Sequence, residues 1–231
     1  MQSAPLPNHL SDNRSVSGCI IDFSRASFNF ECFKAAGISV PMTILRSVES
    51  RQAQFFFGRR AAESALFSAG SRSGSVGMLP SRAPKWPAGF VGSISHTDTI
   101  AAAVAGPKNS VRSLGIDIER IIKKPLFQVF NNLVLHPQEL DFLMNNSHLL
   151  SKELLYTLIF SAKETFYKWA YPLFEIDMNF QDIIIVDVNS IDSYCVFVSN
   201  NNKLSDAFST NTIRIPFDYV DEDHVLTCLT I

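Results

Sequence analysis

Two carboxylates stand two residues apart in the stretch LGIDIER, residues 114–120. If that stretch is a strand, Leu114, Ile116 and Ile118 face one way, while Asp117 and Glu119 share the other face about 7 Å apart. Neighbouring carboxylates repel each other unless a positive partner stands between them. A second pair, Glu164 and Lys168, lies four apart in FSAKETFYKWAYPL (160–173), which puts both on one face of a helix. Should Asp117, Glu119 and Glu164 converge, they would offer hard oxygen ligands and no Cys or His. That set suits Mg²⁺ or Mn²⁺ completed by water and substrate phosphates. Plainer readings stand beside it: a half-exposed acidic strand facing solvent and a surface Glu–Lys ion pair.

A phosphate-bearing substrate would need cations, and several are spaced to supply them. Arg51 and Arg59 lie eight apart, two helical turns on one side, while Arg60 points elsewhere. The loop PSRAPKWP (80–87) adds Arg82 and Lys85, with Trp86 as a packing anchor, and GSISH (92–96) places His96 at a strand end. Any one of these is as readily a solvated surface cation or a structural histidine.

The elements that must hold these groups read as a mixture of helices and strands. VSGCIIDFS (16–24) and SFNFECF (27–33) are short and β-rich and predict an early hairpin, preceded by about ten residues of loose tail. Residues 49–70 carry apolar residues at helical spacing and end in Gly70, a C-terminal stop signal; residues 71–90, rich in Ser, Gly and Pro, predict a long loop. GSISH and TIAAAVAG predict a strand pair, and RSLGIDIER a further strand. After a mixed region (121–150) with a short helix at HPQELDFLM, the strongest helix runs from an N-cap at Ser151 to Pro172. FQDIIIVDV, SYCVFVSN, TIRIPF and HVLTCLTI then predict four strands. The order implies an α+β protein of two similar halves, 1–113 and 114–231, with no sequence repeat between them.

The chain has 231 residues, 46% hydrophobic and 18% charged, enough for a packed core. Its formal net charge of −2 points to no nucleic-acid or membrane-surface partner. Cys19, Cys32, Cys195 and Cys228 have no zinc or redox spacing and suit a reducing, cytoplasmic setting. No signal peptide or membrane-spanning stretch is expected.

RQAQFFFGRRAAESAL, PSRAPKWPAGFVGSISH, GIDIER and FSAKETFYKWAYPL, in that order and at their spacing over residues 45–182, resemble the Sfp-type 4′-phosphopantetheinyl transferases, in particular the branch like enterobactin synthetase component D. The resemblance implies a pseudo-dimeric fold and transfer of the phosphopantetheine arm of coenzyme A to a serine of an apo acyl or peptidyl carrier protein, releasing adenosine 3′,5′-bisphosphate. It places Mg²⁺ on Asp117, Glu119 and Glu164. It places the coenzyme's phosphates on Arg51, Arg59, Arg82, Ser95 and His96, and Lys168 against the diphosphate. Glu164 and Lys168 would be the catalytic pair, with Glu164, directly or through a water, taking the serine proton.

Two alternatives remain at this level: another Mg²⁺-dependent enzyme cleaving a nucleotide diphosphate, and a carrier-binding adaptor without chemistry. The segment 121–150, with Leu126, Phe127, Val129, Phe130, Leu133 and Val134, is the expected docking place of the carrier, though these residues would equally pack under the loop. A monomer is expected.

Overall fold

A computed structural model describes residues 2–11, 13–175, 177–205 and 212–230. Two antiparallel sheets, each backed by one long helix, stack in four layers. The strands β1 (Gln2–Pro5), β2 (Ser17–Asp22), β5 (Phe90–His96) and β6 (Ile100–Pro107) form the first sheet, in the order β1-β2-β6-β5. Its helix is α3 (Glu49–Ser68), preceded by the short α1 (Glu31–Ala35) and α2 (Met42–Leu45). In the second sheet, β7 (Leu114–Arg120), β8 (Ile183–Asn189), β9 (Tyr194–Ser199), β10 (Thr212–Tyr219) and β11 (His224–Thr230) take the order β7-β11-β10-β9-β8. Its helix is α6 (Lys152–Phe174), preceded by α4 (Phe127–Leu133) and α5 (Pro137–Asn146). A two-residue ladder of β3 (Gly77–Met78) and β4 (Pro84–Lys85) crosses the otherwise irregular stretch 71–89.

Strand alternation explains the layering. In β6, Ala101, Ala103 and Ala105 pack under α3 with Phe55, Phe57, Ala61 and Ala65. The intervening Ile100, Ala102 and Val104 face the second sheet and meet Leu114, Ile116, Ile118, Leu226 and Cys228. The apolar face predicted for LGIDIER is therefore the contact between the two sheets. Its other face lies under α6. Gly115 belongs to that face, and a Cβ there would stand 2.1 Å from the Thr165 carbonyl oxygen, so glycine lets helix and strand touch. Ser161 and Thr165 of α6 bond the Thr227 hydroxyl at 2.9 and 2.7 Å, a fully buried polar seam that fixes the helix on the sheet.

Several expectations needed correction. The loose tail is instead a strap. β1 pairs with β2, and the 3₁₀ turn Asn8–Leu10 crosses to the second sheet, where His9 Nε2 lies 3.3 Å from the Phe217 carbonyl oxygen and Leu10 is buried. The predicted hairpin is absent because β2 takes β1 and β6 as partners. SFNFECF instead ends in α1 and packs Phe28 and Phe33 against Phe56. The α6 helix begins as expected, with Ser151 Oγ accepting from the Leu154 amide at 3.2 Å, but runs past Pro172 to Phe174 and closes on a left-handed Glu175. At the end of α3, Gly70 takes φ +86°, the conformation its C-terminal position requires.

Candidate functional site

The candidate residues gather where the edge strands β5 and β7 approach each other. Ser93 Oγ accepts a hydrogen bond from the Ile116 amide at 3.1 Å, and Ser95 Oγ donates to Asp117 Oδ1 at 2.8 Å. Both serines are buried. Lys168, reaching across from α6, donates to Asp117 Oδ1 at 2.6 Å, to Ser95 Oγ at 3.2 Å and to the Ile116 carbonyl at 3.2 Å. The positive charge against Asp117 is thus the Lys168 ammonium, and the plain i,i+4 Glu164–Lys168 surface pair gives way to a pair across two elements. Asp117 is 2% exposed because α6 covers its face of β7, so it is not the solvent-facing carboxylate of a half-exposed strand.

Among the described residues, no three His, Cys, Asp or Glu side chains are gathered as a metal-binding group. Asp117, Glu119 and Glu164 are nevertheless near enough to perturb one another. Burial first, then the charge of Asp117, pushes the Glu119 carboxyl up to about 8, with Glu164 adding to the rise and Lys168 opposing it. Burial also raises Glu164, against the pull of Lys168. Asp117 Oδ2 is buried with no hydrogen-bond partner. An orphaned carboxylate oxygen beside two carboxyls that resist ionising is a donor set that fits a hard divalent cation.

On the first half, Arg51, Phe55 and Arg59 succeed one another at four-residue steps along α3, facing the end of β5. The Arg59 guanidinium carbon lies 4.3 Å from the Phe55 ring centroid, and its Nη2 donates to the Gly77 carbonyl at 3.2 Å. Arg51 Nη1 hydrogen-bonds His96 Nε2. These residues and Arg82 line one cavity of about 430 Å³. Arg82 holds φ +71° in a turn closed by Leu79 and Ala83. Lys85 lies on exposed β4, and Arg60 turns away to pair with Glu63. Burial, then the charges of Arg51 and Lys168, pull His96 down to about 4, so it is neutral near pH 7. Burial and Arg51 likewise lower Arg59 to about 10. His96 Nδ1 and Arg59 Nε are buried without a partner. Crowded cations with unused donors make an anion cavity.

A second cavity, of about 660 Å³, opens beside Glu164 and Tyr167 and is walled by Leu133, Met178 and Phe180. Of the six apolar residues expected at a docking surface, three pack inward: Phe127 stacks on Tyr156 at 4.1 Å, Phe130 stands edge-on to Phe160 at 5.1 Å, and Val134 is buried. Leu126, Val129 and Leu133 are 49, 49 and 67% exposed.

Two family models match successive parts of this chain. Residues 41–106 match the 4′-phosphopantetheinyl transferase N-terminal domain, and residues 113–229 match the 4′-phosphopantetheinyl transferase superfamily. The chain belongs to the 4′-phosphopantetheinyl transferase superfamily. Among its relatives are 4′-phosphopantetheinyl transferase Npt of Nocardia iowensis, 36% identical over 130 residues, which are 56% of each chain. Enterobactin synthase component D of Salmonella typhimurium is 40% identical over 125 residues, 54% of this chain and 50% of that one. 4′-Phosphopantetheinyl transferase PptT of Mycobacterium tuberculosis is 32% identical over 139 residues, 60% of each. The chain thus spans about half to three fifths of these relatives. The superfamily acts with coenzyme A on carrier protein domains. No helix among the described residues is long and apolar enough to cross a membrane.

Sequence reasoning missed Ser93, which ties the two sheet edges, and the buried Lys163–Glu139 pair beside Glu164. Ser93 shares a strand face with Ser95 in GSISH, and that alternation was the signal for it. Lys163 lies four residues after Ile159 and three before Phe166, on the apolar side of α6, and that placement was a usable signal.

Proposed function

We propose that this protein transfers the 4′-phosphopantetheine arm of coenzyme A to a serine of an apo carrier domain and releases adenosine 3′,5′-bisphosphate. The observation that carries the reading is the meeting, at Lys168, of a cavity rich in cations with a cluster of carboxylates. Coenzyme A has the matching asymmetry, a 3′-phosphate at one end and a diphosphate at its centre. The halves divide the work: residues 1–113 grip phosphate, and residues 114–231 carry the carboxylates and the catalytic pair.

Arg51, Arg59, Arg82 and neutral His96 hold the nucleotide's phosphates by charge and donated hydrogen bonds. Ser95 and Lys168 face the diphosphate. Asp117, Glu119 and Glu164 are the residues that would hold a divalent cation, Mg²⁺ or Mn²⁺, which when bound offsets the charge of the diphosphate. Glu164, whose proton affinity burial has raised, takes the proton of the attacking serine hydroxyl. Lys168 stabilises charge growing on the leaving phosphate oxygen. Positioning and charge do most of the work in such a phosphoryl transfer. The carrier docks on the exposed Leu126, Val129 and Leu133, beside the cavity next to Glu164. Relatives named for enterobactin synthesis favour a carrier of siderophore or other nonribosomal peptide assembly over one of polyketide assembly. Cysteines without disulfide, zinc or redox spacing favour the cytoplasm, and a chain whose two halves together line the site can act as a monomer.

Incubation with coenzyme A, Mg²⁺ and an apo peptidyl carrier protein tests the reading, with the carrier mass as readout. A gain of one phosphopantetheine is expected. Free phosphopantetheine with an unmodified carrier would instead mean hydrolysis, and no change would mean an adaptor.

A further inference from the structure

Lys163 and Glu139 form an ion pair inside the second half, their side chains 1% and 0% exposed, with Nζ 2.6 Å from Oε2. Every polar atom of the pair also bonds a group outside it. Lys163 Nζ also donates to the Val134 carbonyl at 3.1 Å. Glu139 Oε2 accepts from the His136 amide at 2.8 Å, and Oε1 from the Ile185 amide at 2.9 Å. One contact point therefore joins α6, the α4–α5 connection, α5 and β8. Lys163 directly precedes Glu164, so the two side chains leave α6 about 100° apart. Glu164 turns toward the β7 carboxylates, whereas Lys163 turns toward α5.

A buried ion pair is a poor source of stability, because desolvation offsets most of its attraction and apolar replacements often do as well. Its particular property is direction: it is satisfied at one separation and one rotation of the helix only. We propose that Lys163–Glu139 is a positioning device that fixes the segment 124–146 to the helix carrying Glu164 and Lys168. It thereby sets where a docked carrier's serine arrives relative to the base. The proposal rests on the transferase reading for its consequence, not for the lock itself. Neither residue touches the phosphate cavity lined by Arg51, Arg59, Arg82 and His96.

The test pairs hydrogen exchange with kinetics in the full chain. Lys163→Met combined with Glu139→Gln removes both charges and leaves one acceptor oxygen for the amides. Glu139→Asp keeps the charge but withdraws it by one methylene. In the double variant, amides of 127–146 should exchange about tenfold faster or more while those of α3 stay unchanged. The carrier KM should rise by about tenfold or more, with the coenzyme A Kd within about twofold of the parent. Glu139→Asp should show the same split, smaller. Folded variants with parental exchange and carrier KM would overturn the proposal. So would carrier KM and coenzyme affinity worsening together, or both variants failing to fold, since the pair would then serve the whole fold. If the parent protein leaves an apo carrier unmodified, the transferase reading fails, and exchange alone still decides the lock.

Discussion

Lys168 Nζ lies 2.6 Å from Asp117 Oδ1, both in the second half, and Ser95 of the first sheet hydrogen-bonds each of them, tying the two halves together at this point. Asp117 also accepts from Ser95 of the first sheet, while Lys168 belongs to the helix of the second. The cluster places the cation-lined cavity and the carboxylates in one electrostatic unit: His96 feels Lys168, and Glu119 feels Asp117, Lys168 and Glu164.

Asp117→Ala should lower transfer by a factor of about 10² or more, because both the cation site and the partner of Lys168 are lost. The fold should survive. The Lys168 side chain is 25% exposed and can turn to water, and Glu119 loses a repulsive neighbour. The melting temperature in chelator should stay within a few degrees of the parent's. Near-normal turnover in this variant would refute the role given to Asp117.

Stability without metal should fall as pH rises from 6.5 to 8. The folded state holds the Glu119 proton up to about 8 against an ordinary value of 4.5, so between those values it binds more protons than the unfolded chain. Stability from this group is full below 4.5 and lost through 8. His96 has the opposite sign: pulled down to about 4 from 6.5, it makes stability rise with pH inside that window and contributes nothing above it. Urea denaturation in chelator from pH 6.5 to 8 isolates the carboxyls. Glu119→Gln should flatten the slope, and an unchanged slope would remove Glu119 as its source.

Arg51→Ala and Arg59→Ala should each weaken coenzyme A binding by about tenfold to a hundredfold, the effect of losing one charge-assisted contact. Arg51 is exposed, so its variant should keep its melting temperature. It should also move the His96 titration upward, because Arg51 helps hold that group down. Arg59 is 8% exposed and stacked on Phe55, so its variant should also melt earlier. Calorimetry with coenzyme A and with its 3′-dephospho form separates contacts to that phosphate from contacts to the diphosphate. Unchanged affinity in both variants would make this helix face plain surface.

Gly115→Ala should damage the site from behind. The added Cβ would meet the Thr165 carbonyl, a backbone atom that moves only if α6 moves. Overpacking of this kind costs about 1–3 kcal/mol. In a chain of this size that lowers the melting temperature by roughly 2–12 °C. Displacing α6 should also lengthen the Lys168–Asp117 contact and reduce transfer in the protein that remains folded. A variant with parental stability and activity would show that the helix does not need this close approach.

Much of the site was legible because its chemistry is local. Asp117 and Glu119 announce themselves by strand alternation, and Glu164 and Lys168 by helical spacing. The strands of the second half read cleanly because β-branched runs are bounded by Asn, Asp and Ser. What failed were features set by distant partners. Whether VSGCIIDFS pairs forward or backward depends on β1 and β6, eleven and more than seventy residues away in sequence, and no local pattern encodes that choice. The first ten residues show no periodic pattern and read as a loose tail, yet Leu10 packs in the core between the sheets. The burial of Asp117 is likewise a property of α6 lying over Gly115, not of LGIDIER itself.

The roles of Glu164 and Lys168 separate in their pH profiles. Glu164→Gln keeps shape and one oxygen but loses basicity, so single-turnover transfer should fall by about 10² to 10⁴. Raising pH should not restore it, because the serine hydroxyl stays protonated. Lys168→Ala should also slow transfer, since charge on the leaving oxygen loses its partner. Its residual rate should still rise with pH as Glu164 ionises. The Lys168 charge pulls the Glu164 pKa down, against burial and Asp117. Without that charge Glu164 holds its proton to higher pH, so the rise in Lys168→Ala should be displaced to the alkaline side of the parent's. The measurement is single-turnover rate against pH at saturating coenzyme A and Mg²⁺. A profile that stays pH-dependent in Glu164→Gln and goes flat in Lys168→Ala would make the lysine the base.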